Sequence, residues 1–341
     1  MRVAHRNGKE ILERTEDDER AGFSFLEVVE KVDALPDDYC TSEHFRENVY
    51  RLQSHDGITL GHILKLVVKK IKDLGDPVVN ELFNIMDELH IVRFVSTEFQ
   101  ERNELLASLC LKLKDRSNLK DLQGWRDESY AVYVRGKPYV LVERAASGLL
   151  GVVTYGAHVN GFVRDPINGD IKLWIPRRSL TKATWPGMLD NIIAGGLGYP
   201  HGVYETVLKE SMEEANLSKE IIEKSIKPVG VVSYFYFQNP DKLLKFDTES
   251  SLITPEVEYL YDLELGPDII PQPNDGEVES FQLLSLQETV TALKNGEFKP
   301  NCALITVEFL MRQGYITPEN EPNYLRMMTK MHRSLPFPTR N

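Results

Sequence analysis

Cysteine is scarce in this chain: Cys40, Cys110 and Cys302 lie far apart among 341 residues. A small, odd, widely spaced set gives neither a disulfide framework nor a zinc-ligand spacing, so a reducing compartment, the cytoplasm, is expected. Long apolar runs are missing as well. None approaches the ~18 residues of a membrane helix, which argues against a membrane partner. The opening stretch MRVAHRNGKEILERTEDDER has no apolar h-region and many acids, and fits neither a secretion signal nor a transit peptide. Basic charge is in deficit: 40 Lys and Arg against 52 Asp and Glu leave a formal net charge of -12. That weighs against nucleic acid as a partner, since nucleic-acid binding wants a basic face. A protein this acidic must supply local cations, metal or arginine, if it handles phosphates. No Walker loop ending in Gly-Lys-Ser/Thr occurs, and no internal repeat or low-complexity tract is present.

What is there describes a soluble globular protein: 42% hydrophobic and 27% charged residues, with length enough for two domains. Residues 1–20 are charged and expected to be poorly ordered. From about Ser24 to Cys110 the apolar pattern is helical. Phe25, Val28, Val29, Val32 and Leu35 form one stripe. Leu60, Ile63, Leu64, Val67, Val68 and Ile71 form a second, ended by Gly75-Asp76-Pro77. A third helix is expected near residues 99–114. From Trp125 the texture changes to strands and turns. Strands are read at Tyr130–Arg135, Pro138–Glu143, Tyr155–Val163, Ile171–Pro176, Val229–Phe237, Glu256–Leu263 and Ser280–Leu284. Ser285 with Glu288 makes a capping box for a helix over Leu286–Asn295 that stops at Gly296. A last helix is expected over Cys302–Arg312. The division read from this pattern is a helical region over 1–120, a mixed α/β domain over 121–316 and a tail over 317–341.

The densest chemistry sits where Gly195-Gly196-Leu197-Gly198 precedes a helix carrying Glu210, Glu213 and Glu214. These positions are i, i+3 and i+4, so the three carboxylates share one face. Three neighbouring anions repel, and a divalent cation removes that cost. Magnesium in particular favours carboxylate oxygens together with substrate phosphates. Tyr204, Leu208, Ser211, Met212 and Ala215 occupy the opposite arc and are expected to pack down, with the acidic side outward. Glu205 and Lys209 form an i, i+4 pair in the favourable order.

The glycine loop and acidic helix resemble the Nudix box: Gly, five residues, Glu, seven residues, then Arg-Glu, an apolar residue, any residue, Glu-Glu, any residue, Gly and a final apolar residue. Gly195 takes the first position, and Glu210, Glu213 and Glu214 fill the helix carboxylates. His201 stands in place of the first Glu, Lys209 in place of Arg, Ser211 in place of an apolar residue and Asn216 in place of the last Gly. Glu205–Lys209 is expected to replace the family's Glu–Arg pairing, and Asn216 tolerates the left-handed backbone. Further segments sharpen the likeness: Gly124-Trp125-Arg126-Asp127-Glu128, Tyr155–Gly161, Leu173–Ser179, Pro186–Asn191, Asp275–Phe281 and Phe298–Ala303 look like the Nudix subgroup labelled thiamine pyrophosphokinase-related. The likeness runs from about Gly124 to Pro338.

The resemblance implies a Nudix α/β/α sandwich with a mixed sheet, preceded by a mainly helical N-terminal region. It implies magnesium-dependent hydrolysis (manganese being the alternative ion) of a diphosphate in oxidised, damaged thiamine diphosphate derivatives, giving the monophosphate and phosphate. A nucleoside diphosphate derivative as substrate and a non-catalytic Nudix binding module are the competing readings. Glu210, Glu213 and Glu214 are the expected metal ligands, with a loop glycine carbonyl as a further donor. Glu213 and Glu277, the latter in an Asp-Gly-Glu loop, are the expected catalytic carboxylates. Arg177 and Arg178 are the expected phosphate contacts, since Arg suits bidentate binding; strand alternation points only one of them inward. His158 and Asn160 share a strand face, either as pocket lining or as a satisfied buried pair. Trp125, Trp174, His62 and Cys302 are expected to pack. The N-terminal region is expected to shape the pocket or to mediate a homodimer.

Overall fold

The computed structural model describes residues 1–237 and 245–341. Its N-terminal part alternates helices and strands: β1 (Arg2–Arg6), β2 (Lys9–Glu13), α1 (Glu16–Ala21), α2 (Leu26–Glu30), α3 (Glu43–Asn48), β3 (Val49–Gln53), β4 (Thr59–Leu64), α4 (Lys65–Asp73), α5 (Pro77–Leu82), β5 (Phe83–Met86), β6 (Ile91–Phe94) and α6 (Phe99–Arg116). The opening residues are ordered rather than loose. Asn7 and Gly8, both at positive φ, turn β1 back onto β2, and Thr15 caps α1 through a reciprocal bond with Asp18. Asp18 also takes the chain's terminal ammonium and Lys294. The expected helix over residues 60–71 is divided: Leu60, Ile63 and Leu64 lie on β4, and helix begins only at Lys65. Leu60 and Leu64 satisfy a helical i, i+4 and a strand i, i+2n spacing equally, so their period alone cannot choose. β4, β3, β6 and β5 form a four-stranded sheet, with β3 and β6 parallel.

The second part comprises β7 (Ser129–Val134), β8 (Lys137–Glu143), α7 (Arg144–Leu150), β9 (Thr154–Arg164), β10 (Ile171–Arg178), β11 (Ile193–Gly196), α8 (Val203–Ala215), α9 (Lys219–Ser225), β12 (Ile226–Tyr236), β13 (Thr254–Glu264), β14 (Val278–Ser285), α10 (Leu286–Asn295), α11 (Pro300–Arg312) and α12 (Tyr324–Met331). The capping box at Ser285 and Glu288 and the stop at Gly296 are formed as the local chemistry requires. Six strands make one mixed sheet in the order β12-β13-β9-β10-β14, with β11 on β9. All pairs are antiparallel except β13 with β9.

Helices cover both faces of that sheet. Val232, Tyr234, Leu260, Phe162, Leu173 and Ile175 pack against α10, α11 and α12. Alternate residues Tyr155, Ala157, Val159 and Val257 pack with Val207 and Ala215 of α8, Ile222 of α9 and the N-terminal sheet. β9 is therefore buried on both sides over Thr154–Phe162. The two parts are joined by close backbone approach: the His62 amide donates to the Gly151 carbonyl, and Gly151 meets His62 where a Cβ would overlap it. The segment over 317–341 is also packed. Met327 and Met331 are fully buried, and Arg333 donates to Asp33 at 2.8 Å.

Candidate active site

β11 delivers the glycines to α8. A Cβ on Gly195 would stand 2.5 Å from Cγ and 2.8 Å from Cδ of Glu210, so only glycine leaves room for that side chain to lie on the strand. One residue earlier the Ala194 amide donates to Glu214 Oε2 at 3.0 Å. Glu210 and Glu214 are thus turned toward the sheet edge rather than out. The buried arc is Thr206, Val207, Ser211 and Ala215, while Tyr204 and Met212, expected to pack, are 40% and 43% exposed. The reason is the neighbour: β11 carries no side chain at Gly195, and the gap accepts the Glu210 carboxylate at close range. Ser211, standing where an apolar residue is usual, satisfies its hydroxyl on the Val207 carbonyl at 2.5 Å.

The expected Glu205–Lys209 pair is not formed. Glu205 instead accepts from the Gly202 amide at 2.8 Å and caps the helix, an N-terminal use that competes for it. Lys209 pairs with Glu210 at 3.3 Å and Glu213 at 3.1 Å. Asn216 ends the helix at φ 52°, as its residue type allows.

The electrostatics of the row are uneven. Burial, with Glu213 and Glu277 adding to it and Lys209 opposing, raises the Glu210 carboxyl above its ordinary range. Glu214 is raised much further by burial and then by the Asp190 and Glu210 charges, and the single Ala194 N–H offsets only part of this. Glu213 is the most open of the three, its side chain 45% exposed. A narrow crevice beside the row is lined by Glu214, Glu277, Asp190, Arg178 and Lys182. There burial would raise Glu277, but its contact with Lys182, aided by Arg126 and Arg178, holds it below the usual carboxylate range.

The structure therefore brings Glu210, Glu213, Glu214, Glu277 and Arg178 to one place. Arg177 donates to the Gly187 carbonyl at 2.8 Å and does not line the crevice. Arg178 is buried, as alternation allowed, but its donors are committed to Asp190 Oδ2 (2.5 Å), the Trp185 carbonyl (3.0 Å) and the Thr184 carbonyl (2.9 Å). It offers a fixed positive charge rather than the bidentate phosphate clamp expected of it. Lys182 and Asp190 are not among the expected site residues: Lys182 sits in no motif, Asp190 lies in the Pro186–Asn191 segment with no role assigned to it, and both reach the site through a loop. His158 and Asn160 are both buried and linked by Asn191: His158 Nδ1 lies 2.9 Å from Asn191 Oδ1, and Asn191 Nδ2 donates to Asn160 Oδ1 at 3.3 Å. Cys302 packs on α11 with its thiol on Asp190, and Trp174 is buried.

The donor set suits a hard divalent cation, being carboxylate oxygens in excess over local cations. Glu210 lies in a cradle that a Cβ would fill, and Glu214 is a carboxyl that accepts from one backbone N–H. The row is not drawn tight: among the described residues the group of three acids or histidines with ligand atoms within 4.8 Å of one another is His5, Glu10 and Asp170, near the surface. Glu10 and Asp170 already meet through the Glu10 amide at 3.0 Å. No described helix is long and apolar enough to cross a membrane.

Comparison with known proteins bears on the same stretch of chain. Residues 154–303 match the NUDIX domain, and residues 34–154 match a domain of unknown function, DUF4743. Over 334 residues the chain is 55% identical to Uncharacterized protein YJR142W of Saccharomyces cerevisiae, covering 98% of each. It is 36% identical to Nudix hydrolase 20, chloroplastic, of Arabidopsis thaliana, across 68% of this chain and 58% of that one. Nudix hydrolase 24, chloroplastic, of the same plant is 38% identical across 68% and 60%.

Proposed function

We propose, for a chain that belongs to the Nudix hydrolase family and is a Nudix pyrophosphatase, that its substrates are oxidised thiamine diphosphate derivatives, cleaved with magnesium to the monophosphate and inorganic phosphate. The family acts on small-molecule diphosphates with divalent metal ions. Magnesium is favoured here by the all-oxygen donor set, with manganese as a substitute. The observation that carries the reading is the seating of the half-buried Glu210 and Glu214 against the glycine strand beside Glu277 and Asp190, with burial raising both carboxyls and, among the described residues, no side-chain cation bonded to Glu214. The thiamine-type substrate is supported by the run of subgroup-like segments from Gly124 to Pro338. The scarce, unpaired cysteines support a cytoplasmic setting.

In this reading Glu210, Glu213 and Glu214 hold the cation. A cation held there would supply positive charge against the diphosphate and make water easier to deprotonate. Glu213, the open end of the row, and Glu277, across the crevice, orient the attacking water and take its proton. Lys182 keeps Glu277 ionised for that task and, with Arg178, places positive charge beside the leaving phosphate. Residues 121–316 form the hydrolytic unit, with 1–120 and 317–341 packed on it. The test is phosphate release from oxidised thiamine diphosphates, thiamine diphosphate and nucleoside diphosphate derivatives, each with and without magnesium. Release that is fastest from the oxidised thiamine compounds and abolished by chelation is expected. Faster release from a nucleoside diphosphate derivative would overturn the substrate.

A further inference from the structure

The glycine loop before α8 is keyed to chain that lies upstream of the matched NUDIX domain. A Cβ on Gly196 would overlap the Tyr130 hydroxyl, and one on Gly198 would stand 2.6 Å from Glu128 Oε1. The Tyr199 amide donates to the Ser129 carbonyl at 2.8 Å. Residues 34–154, which carry β7, β8 and α7, match the domain of unknown function. Glu128 in turn fixes Arg144 at the start of α7. Its carbonyl accepts from the Arg144 amide at 2.8 Å, and its carboxylate accepts from Arg144 Nη1 at 2.8 Å.

Behind the glycine strand lies a cavity of about 230 Å³. Arg144 and Tyr130 reach it from the upstream segment, Glu256 and Glu258 from β13, and Lys299 from the position just before α11. Arg144 is close enough to Glu210 to feel its charge, so the cavity adjoins the carboxylate row.

Charge inside this space is unbalanced. The Arg144 side chain is 45% exposed, and among the described residues its guanidinium makes one side-chain bond, through Nη1, which leaves Nε and Nη2 free. Burial works against the Lys299 ammonium, but the bonded Cys302–Asp190 pair outweighs it, so Lys299 stays charged. Those neighbours act on it by charge alone: among the described residues the ammonium makes no hydrogen bond and no ion pair. An enclosed ammonium without a partner is costly. The acids opposite do not supply one. The Tyr234 hydroxyl lies 2.7 Å from Glu256 Oε2 and 3.3 Å from Glu258 Oε1. Burial and then the Glu256 charge push the Glu258 carboxyl up to about 8, so it holds a proton at neutral pH. Two cations therefore share the cavity with at most one carboxylate.

We propose that Arg144 and Lys299 bind the diphosphate group of the substrate, and that the domain of unknown function serves the site by supplying Arg144. The assignment rests on the diphosphate reading above. It fills the place left by Arg177 and Arg178, whose donors turn to the loop over 184–190. An arginine fork beside a lysine point charge suits phosphoryl oxygens. One such oxygen seated ~2.8 Å from Lys299 Nζ gives that ammonium the partner it lacks.

The test reads anion binding apart from hydrolysis. Inorganic pyrophosphate is titrated by calorimetry in EDTA. Wild type should bind it, more weakly as salt rises. Lys299→Met and Arg144→Met should each weaken binding at least ~10-fold, the loss of one charge-assisted bond. Lys70→Met removes an exposed charge from α4 and should change it less than ~2-fold, because salt screens distant charges. Arg144→Met, at the half-exposed position, decides the matter if Lys299→Met does not melt cooperatively. A wild type that takes up no pyrophosphate, or a folded cavity variant that binds it as Lys70→Met does, means that the two cations only offset buried acids and overturns the assignment. Phosphate release with magnesium is followed in parallel. A wild type that binds pyrophosphate through these cations but releases phosphate from none of the diphosphates named above would sink the hydrolase reading and leave the anion site standing.

Discussion

Gly195→Ala isolates the seat of Glu210. The added methyl would lie 2.5 Å from Cγ, 2.8 Å from Cδ and 3.1 Å from Oε1 of that side chain. All three are inside ordinary van der Waals contact, so something must move. β11 is held by its ladder to β9 and cannot retreat easily, whereas the Glu210 side chain can rotate. The stability loss should therefore sit at the low end of overpacking, about 1 kcal/mol. The functional loss should be larger, because under the proposed role of Glu210 in holding the cation a displacement of about 1 Å costs on the order of 100-fold in turnover. Gly202→Ala is the internal control. It lies in the same loop, but its nearest atom, Glu205 Oε2, would be 3.6 Å away, and its φ of -79° suits any residue. The assay is magnesium-dependent phosphate release beside thermal melts of both variants. A Gly195→Ala enzyme with turnover within about threefold of Gly202→Ala would refute the claim that Glu210's position against the strand matters.

Three further outcomes follow from charge and backbone. Glu214→Gln should lower turnover at least ~100-fold by weakening the cation that stabilises transition-state charge, yet it should not destabilise the metal-free fold. Because the folded carboxyl is raised by burial, wild type in EDTA loses stability as pH climbs from the ordinary Glu value through the raised one; the amide variant should not, and parallel pH–stability curves would contradict this. Asp190 has the opposite sign. Against burial, Lys299 and Arg178 hold it low, so its contribution is present above the ordinary carboxylate range and lost as pH falls through the folded value. Asp190→Asn should cost about 3–5 kcal/mol in urea unfolding at neutral pH, since Arg178 is left buried without its anion. At Asn216, with φ 52°, Ala should cost about 1 kcal/mol and Gly should be neutral or stabilising; equal melting of the Ala and Gly variants would remove the backbone explanation.

Local chemistry was legible where one short segment decides the outcome. Ser285 and Glu288 announce a capping box, Gly296 stops the helix, and Glu210, Glu213 and Glu214 reveal a shared face without any knowledge of the sheet. Asn7-Gly8 is an equally local hairpin signal, and the strands on either side of it form, although the charge of residues 1–20 alone suggests loose chain. What could not be read are facts about partners. The inward turn of the α8 glutamates depends on β11 lacking side chains at the contact, so helical amphipathicity alone placed Tyr204 and Met212 on the wrong side. Arg178 looked like a phosphate clamp because its competitors, Asp190 and the carbonyls of Thr184 and Trp185, lie on a loop whose path the residues do not state. The parallel register of β13 on β9 joins segments separated by β10, β11, α8, α9 and β12. That pairing, rather than any motif, sets Glu258 opposite Gly156 and one step from His158. Alternating Glu256 and Glu258 in β13 is the available trace of it, because two carboxylates on one strand face must either reach solvent or find a partner.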